Sequence, residues 1–253
     1  MAIESVVAES SLVDVRGHQL RVRVEGTGPA LLLLNGLTRP LESWNPFIKA
    51  LSGHTVVRFD MPGVGESQTS LLPQSIGKMA EITALVLDEI GLDRVDVLGL
   101  SHGGAVAQQF CRDYPSRVRR LVLVSTSCGV GSTLGSWGAL VSLRTFKYGS
   151  SFTELVGASW HSMAISNWSS IPFLGSINAT TLVVSGSDDP VVPLANSRSL
   201  AQRIPNASLV VLPGGHDLQS TEPAQALARA VQHFLTQPSA NEREGFDHDR
   251  FAL

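Results

Sequence analysis

A serine lies between two glycines where an apolar strand is expected to give way to a helix. Residues 99–103 read Gly-Leu-Ser-His-Gly and follow the apolar segment 95–98. A nucleophile on a sharp strand-to-helix turn needs small neighbours, because a Cβ on either glycine would obstruct the tight backbone. The start of the helix would also direct unpaired N–H groups at a carbonyl oxygen that gains negative charge. Ser101 is therefore the candidate nucleophile, and the alternative is a glycine-rich turn that only tightens packing.

The candidate nucleophile needs a base, because a serine hydroxyl reacts poorly at neutral pH. The chain has seven histidines. His216 ends a Pro-Gly-Gly-His loop directly after the last predicted strand, so its ring can reach over the strand ends. We predict that His216 is the base. The remaining histidines outside the serine motif are interpreted mostly as surface residues: His18, His54, His161, His233 and His248.

An acid must hold the histidine ring in the correct orientation. Residues 186–193 read Gly-Ser-Asp-Asp-Pro-Val-Val-Pro and follow the predicted strand 181–185, so they offer two adjacent carboxylates. We prefer Asp189 as the acid and interpret Asp188 as a cap of the turn, with the reverse assignment left open. The chain order is then nucleophile, acid, base, and each residue follows a different strand, as expected of a serine hydrolase on an α/β sheet.

Two backbone N–H groups should stabilise the oxyanion. One belongs to His102, directly after the nucleophile, and the other should come from the loop after strand 30–34. We assign the second donor to Leu37, with Gly36 giving the backbone room. Asn35 is interpreted as a brace of this loop and is also kept as a candidate residue of the substrate pocket. The side chain of His102 is expected to line the acyl pocket or to pack beside the cap.

These residues must be positioned by a regular scaffold. Segments that are mostly apolar on both faces predict the strands of a parallel sheet covered by helices. They are residues 30–34, 55–59, 95–98, 121–124, 181–185 and 208–212. Apolar residues at helical spacing predict helices over 76–90, 105–113 and 224–234, and alternation over 19–24 predicts an early antiparallel strand that ends in a hairpin-like turn. This alternation of strands and helices is typical of a doubly wound α/β domain.

One long segment interrupts the alternation. Residues 129–177 are rich in Gly, Ser and Trp, contain no convincing strand and are too long for a plain connection. We interpret them as an inserted lid between core segments 1–128 and 178–237; the alternative is a single crossover helix with irregular flanks. Residues 238–253 are predicted to be a flexible tail. The lid supplies three aromatic candidates for the substrate pocket: Trp137, Trp160 and Trp168.

The composition argues against several partners. The formal net charge is −3, so the chain lacks the excess of basic residues that nucleic-acid binding needs. The longest apolar run, 30–34, is far shorter than the roughly 18 residues that span a bilayer. Glu4 and Glu9 lie where a secretory signal would need basic and apolar residues, so we expect a cytoplasmic protein. Cys111 and Cys128 lack metal-type spacing and are interpreted as small buried hydrophobic residues.

The chain resembles the α/β-hydrolase family from about residue 19 to residue 235. More narrowly, it is similar to the intracellular poly(3-hydroxyalkanoate) depolymerases. The similar stretches are LLLLNGLTRPLESWNPF (31–47), FDMPGVGES (59–67), the serine motif with its flanks (95–129) and the segment that contains both predicted partners (168–216). At residues 35–36, Asn-Gly replaces the His-Gly that is common in the wider α/β-hydrolase family, and the same replacement occurs in the depolymerases. His102 stands where those enzymes usually have Trp, and the lid is several turns shorter.

The resemblance implies an α/β-hydrolase fold, with a mostly parallel doubly wound sheet and a short inserted lid. It also implies a Ser101, Asp189, His216 triad that attacks 3-hydroxyacyl esters without a metal or an organic cofactor. We therefore expect a serine hydrolase that forms an acyl-enzyme from small or oligomeric esters of apolar acyl or 3-hydroxyacyl groups. The alternatives are an acyltransferase that uses the same acyl-enzyme and a non-catalytic ligand-binding protein, which would not need all three residues.

Overall fold

A computed structural model describes residues 10–70, 72–136 and 152–237. It contains an eight-stranded sheet in the order β1-β2-β4-β3-β5-β6-β7-β8. The strands are β1 Ser11–Val15, β2 His18–Gly26, β3 Ala30–Leu34, β4 Thr55–Phe59, β5 Val95–Leu100, β6 Val118–Val124, β7 Thr180–Gly186 and β8 Ala207–Leu212. The helices are α1 Asn45–Ala50, α2 Ile76–Glu89, α3 His102–Asp113, α4 Phe152–Ser166, α5 Leu194–Arg203 and α6 Thr221–Thr236.

The sheet is parallel from β4 across to β8, and only β1 and β2 run antiparallel to their neighbours. The predicted doubly wound α/β sheet is therefore confirmed. The prediction of a hairpin-like turn after β2 is wrong. A hairpin would pair β2 with β3, but β2 pairs with β1 and β4, and β3 lies between β4 and β5. This connection passes close to the loop before β4: a Cβ on Gly26 would lie 2.4 Å from the carbonyl oxygen of His54.

Both faces of the sheet are buried at its centre, which explains why β3 is apolar at all five positions. Leu32 faces a core layer that includes Phe110 of α3, whereas Leu31 faces the opposite layer, which includes Leu227 of α6. Helices α2, α3 and α5 contribute to the first layer, and α1 and α6 to the second. Sequence periodicity missed β1, α1 and α5. The two cysteines are buried, as predicted.

The segment between β6 and β7 is described in part, and its described residues, 129–136 and 152–177, contain one α-helix, α4. Helix α4 lies against the loop that follows β4. The backbones meet so closely that a Cβ on Gly157 would lie 2.2 Å from the carbonyl oxygen of Gly63. Trp137 and residues 238–253 lie outside the described residues, so the assignments made to them stay predictions. None of the helices in the described ranges has the length and apolarity needed to cross a membrane.

Candidate active site

The serine motif forms the turn between β5 and α3. Ser101 has φ 52° and ψ −116°, a sparsely populated positive-φ conformation that costs a non-glycine residue about 1–3 kcal/mol. The surrounding backbone enforces it. A Cβ on Gly99 would lie 2.4 Å from the carbonyl oxygen of Gly103, and a Cβ on Gly103 would lie 2.2 Å from that of Leu34. The glycines thus let the helix fold back over its own strand and approach the end of β3.

The structure brings Ser101, His216 and Asp189 into one hydrogen-bonded chain. His216 Nδ1 lies 2.9 Å from Asp189 Oδ2, and His216 Nε2 lies 2.9 Å from Ser101 Oγ. A carboxylate only accepts, so Nδ1 carries the ring proton and Nε2 presents its lone pair to the serine hydroxyl. Asp189 Oδ1 accepts two further hydrogen bonds of 2.9 Å from the N–H groups of Val191 and Val192.

These contacts decide the charge of the acid. Burial raises the pKa of Asp189, but the hydrogen bond and the charge of His216 lower it, and so do the N–H groups of Val192 and Val191. The net pKa lies below its usual value. Asp189 therefore stays a carboxylate at neutral pH, as needed to stabilise an imidazolium that forms when the ring takes a proton.

The loops that carry Asp189 and His216 are held together by a close backbone contact. A Cβ on Gly186, the last residue of β7, would lie 2.2 Å from the carbonyl oxygen of Gly215. This approach places Asp189 against the histidine. Asp188 is exposed instead, and its carboxylate accepts a hydrogen bond of 2.6 Å from Ser187 Oγ. Of the two adjacent carboxylates, only Asp189 reaches the ring.

The two predicted oxyanion donors border the serine. His102 is the first residue of α3, so its N–H has no acceptor within the helix. The N–H of Leu37 has no acceptor among the residues that the structure describes. The Leu37 loop lies beside the serine, because a Cβ on Gly36 would be 3.7 Å from the Cβ of Ser101. Both N–H groups are thus available to a ligand oxygen.

The amide of Asn35 braces this loop. Its Nδ2 donates to the carbonyl oxygen of Pro40 at 2.7 Å, and its Oδ1 accepts from Ser43 Oγ at 2.9 Å. Asn35 is buried and its contacts support the brace, while its placement in the substrate pocket stays a prediction. The loop is fixed further by buried Asp60, whose Oδ1 accepts from the N–H of Leu41 at 2.7 Å. Burial raises the pKa of Asp60 to about 6.

An ion pair joins the Leu37 loop to the histidine loop. Arg39 lies two residues after Leu37, and Asp217 directly follows His216. Arg39 Nη2 lies 2.6 Å from each carboxylate oxygen of Asp217. The pair is largely shielded, since the side chains are 11% and 32% exposed. It connects the loop after β3, which carries Leu37, with the loop after β8, which carries His216.

A pair of histidines closes the side that faces α4. The ring of His102 stacks on that of His161, with centroids 4.9 Å apart and planes 9° apart. The two residues are 5% and 2% exposed. The surface interpretation of His161 is therefore wrong, and so is that of His54, which is 8% exposed. A signal for His161 did exist, because Gly157 and His161 are four residues apart and lie on one face of α4.

Burial shifts the protonation of both stacked rings. It lowers the pKa of His161 to about 4, although the hydrogen bond with the carbonyl oxygen of Pro62 opposes the shift. Burial, followed by the charge of His161, lowers the pKa of His102 well below its usual value. Both rings are therefore neutral at pH 7.

The described lid tryptophans are partly buried. Trp168 Nε1 donates to Gln109 Oε1 on α3 at 2.8 Å, and its ring packs edge-on against Phe173. Gln109 lies seven residues beyond His102, about 10 Å along the helix axis. Trp168 thus anchors the chain after α4 to α3, and its placement in the substrate pocket stays a prediction. Trp160 is half-buried on α4, and its Nε1 lacks a hydrogen-bond partner among the described residues.

The parallel sheet with a strained serine between β5 and α3 defines a class of proteins, the α/β hydrolases. A family model described as "alpha/beta hydrolase fold" matches residues 29–158, and a second, described as "TAP-like protein", matches residues 157–246. The chain belongs to the α/β-hydrolase family. In the part of the chain that the structure describes, no three His, Cys, Asp or Glu side chains are grouped to hold a metal ion.

Individual relatives match along most of their length. The chain is 36% identical to a poly(3-hydroxyalkanoate) depolymerase of Ectopseudomonas oleovorans, over 89% of this chain and 92% of that protein. It is 26% identical to a 2-hydroxy-6-oxononadienedioate/2-hydroxy-6-oxononatrienedioate hydrolase of Comamonas testosteroni, over 92% and 97%. The crystal structure of the enol-lactonase from Burkholderia xenovorans LB400 superposes with a TM-score of 0.80 at 25% identity, over 90% and 100%.

Proposed function

We propose that the protein is a serine hydrolase that cleaves carboxylic esters of apolar acyl or 3-hydroxyacyl groups. The observation that carries this proposal is the continuous chain of hydrogen bonds from Ser101 through His216 to Asp189, with 2.9 Å at each step. A serine, an imidazole and a buried carboxylate in this order can activate a hydroxyl for attack on a carbonyl carbon.

The geometry gives each residue a role in the reaction. As Ser101 Oγ attacks the ester carbonyl, its proton moves to His216 Nε2, and Asp189 stabilises the resulting imidazolium. The N–H groups of Leu37 and His102 bind the oxyanion. The imidazolium then protonates the leaving alcohol, and an acyl-enzyme remains. His216 next removes a proton from water, the hydroxide attacks the acyl carbon, and the acid leaves as the proton returns to Ser101.

The substrate class is supported by the similarity to a depolymerase and by the charges of the residues around the site. The depolymerase relative, at 36% identity, acts by its name on polyesters of 3-hydroxyacids. The charge of Arg39 is balanced by Asp217 in an ion pair, and the stacked rings of His102 and His161 are neutral. An uncharged ester suits this environment better than a dicarboxylate does. We further propose that residues 129–177, which include α4, form the lid over the acyl chain.

The test is the hydrolysis of chromogenic esters with unsubstituted and 3-hydroxylated acyl chains. Ser101→Ala should lower kcat/KM by about three or more orders of magnitude. The matched control is Ser166→Ala, which removes an exposed hydroxyl that bonds only within α4. A fluorophosphonate should label wild type at Ser101, as read by peptide mass spectrometry. Equal rates for wild type and Ser101→Ala, or labelling at another serine, would contradict the proposal.

A further inference from the structure

Two ring nitrogens, one of them on the residue directly after the candidate nucleophile, have no hydrogen-bond partner among the residues that the structure describes. They are His102 Nε2 and His161 Nδ1, and both are buried without a partner among the described residues. Their rings form the stacked pair between the catalytic turn and α4. The pair is more than nine-tenths buried on both sides. A contact that only held the lid would be made better by two apolar rings, because buried polar atoms without partners are destabilising.

The protonation of the pair follows from its contacts. His161 Nε2 lies 3.0 Å from the carbonyl oxygen of Pro62, which can only accept, so Nε2 carries the proton. In a neutral ring, Nδ1 of His161 is then a lone pair that needs a donor. His102 is neutral as well, so its two nitrogens offer one donor and one acceptor. Together the rings lack at least one hydrogen-bond donor, and their neutrality favours an uncharged group.

We propose that His161 and His102 bind the 3-hydroxyl group of the acyl chain, with the hydroxyl donating to Nδ1 of His161. This assignment rests on the proposed function. In a 3-hydroxyacyl ester, the carbon that carries the hydroxyl is two bonds from the carbonyl carbon that Ser101 attacks. The hydroxyl must therefore lie within a few ångströms of Ser101, where His102 is the next residue along the chain. A hydroxyl both donates and accepts, so it can also accept from His102 when Nε2 carries that ring's proton.

The test compares three esters with the same leaving group and chain length, bearing a 3-hydroxyl, a 3-methoxy group or no substituent. Each kcat/KM is divided by the rate constant for hydroxide, which removes differences in intrinsic reactivity. Wild type should favour the 3-hydroxy ester over both others by about 3- to 10-fold, the effect of one hydrogen bond. His161→Phe keeps a flat ring for stacking and should abolish this preference. The control His233→Phe changes an exposed ring on α6 and should retain it.

Each outcome has a defined meaning. If wild type shows no preference for the 3-hydroxy ester, the proposal is wrong even if His161→Phe fails to fold. If His161→Phe folds and keeps the preference, the hydroxyl is bound elsewhere and the proposal is also wrong. Failure of the proposed function gives a different result, because wild type and Ser101→Ala would then hydrolyse all three esters at the same rate.

Discussion

The stacked histidines should make the stability of the protein fall as the pH drops below neutrality. In the folded state the pKa of His161 is lowered from 6.5 to about 4, and that of His102 is lowered in the same direction. The unfolded chain therefore binds protons at a higher pH than the folded chain. The contribution to stability is complete above pH 6.5 and is lost progressively as the pH falls from there through the folded pKa.

The size of the effect follows from the pKa of His161. A change from 6.5 to about 4 corresponds to roughly 3 kcal/mol at most, at about 1.4 kcal/mol for each pKa unit. Between pH 7.5 and pH 5.0 the folded ring stays mostly neutral while the unfolded ring is mostly charged, which amounts to about 2 kcal/mol. His102 adds to the loss in the same direction. Asp60, whose pKa is raised to about 6, changes stability in the opposite direction over this range, but its contribution is common to wild type and a His161 variant and cancels in their difference.

Urea unfolding of wild type and His161→Phe at both pH values measures this contribution. The variant loses the hydrogen bond to Pro62, and this loss lowers its stability by the same amount at either pH. The free energy of unfolding of wild type should fall by about 2 kcal/mol more than that of the variant from pH 7.5 to pH 5.0. His233→Phe, at an exposed site, should follow wild type. If the difference between wild type and His161→Phe is the same at both pH values, the reasoning is wrong.

Three further predictions concern the loops around the site. Asp189→Asn should lower kcat by about three or more orders of magnitude in a chromogenic ester assay, because the amide no longer fixes the proton on Nδ1. Arg39→Met and Asp217→Asn should each lower kcat about 10-fold with little change in KM, and the double variant should be no worse than either single variant, since each breaks the same ion pair. Gly186→Ala should lower the free energy of unfolding by about 1–3 kcal/mol in urea, because its Cβ would lie 2.2 Å from a backbone oxygen.

Matched variants make these predictions refutable. Asp188→Asn should change kcat only a few-fold. If Asp188→Asn lowered kcat more than Asp189→Asn does, the roles assigned to the two carboxylates would have to be exchanged. Additive losses in the variants of Arg39 and Asp217 would show that the residues act separately. Gly175→Ala has no atom within 4 Å of the new Cβ and should leave stability nearly unchanged. Equal stability of both alanine variants would contradict the close contact assigned to Gly186.

The sequence by itself determined the features that depend on residues close together in the chain. The pattern of residues 99–103 indicated a strand, a tight turn and a helix, because glycine spacing and apolar runs are local properties. The apolar strands predicted burial on both faces of the sheet. Ser101, Asp189 and His216 each follow a different predicted strand, which indicated that the three residues lie at the same edge of the sheet. Helices α1 and α5 were missed because α1 has six residues and α5 has only a short apolar face.

Only the tertiary structure decided features that depend on contacts between distant segments. Asp189 rather than Asp188 reaches His216 because Gly186 lets two loop backbones meet, and neither carboxylate differs from the other in local pattern. His161 is buried because α4 contacts the loop after β4 at Gly157, which turns one face of the helix onto the catalytic turn. Periodicity defines the faces of a helix, but the segment that covers each face is set by the packing of the whole chain.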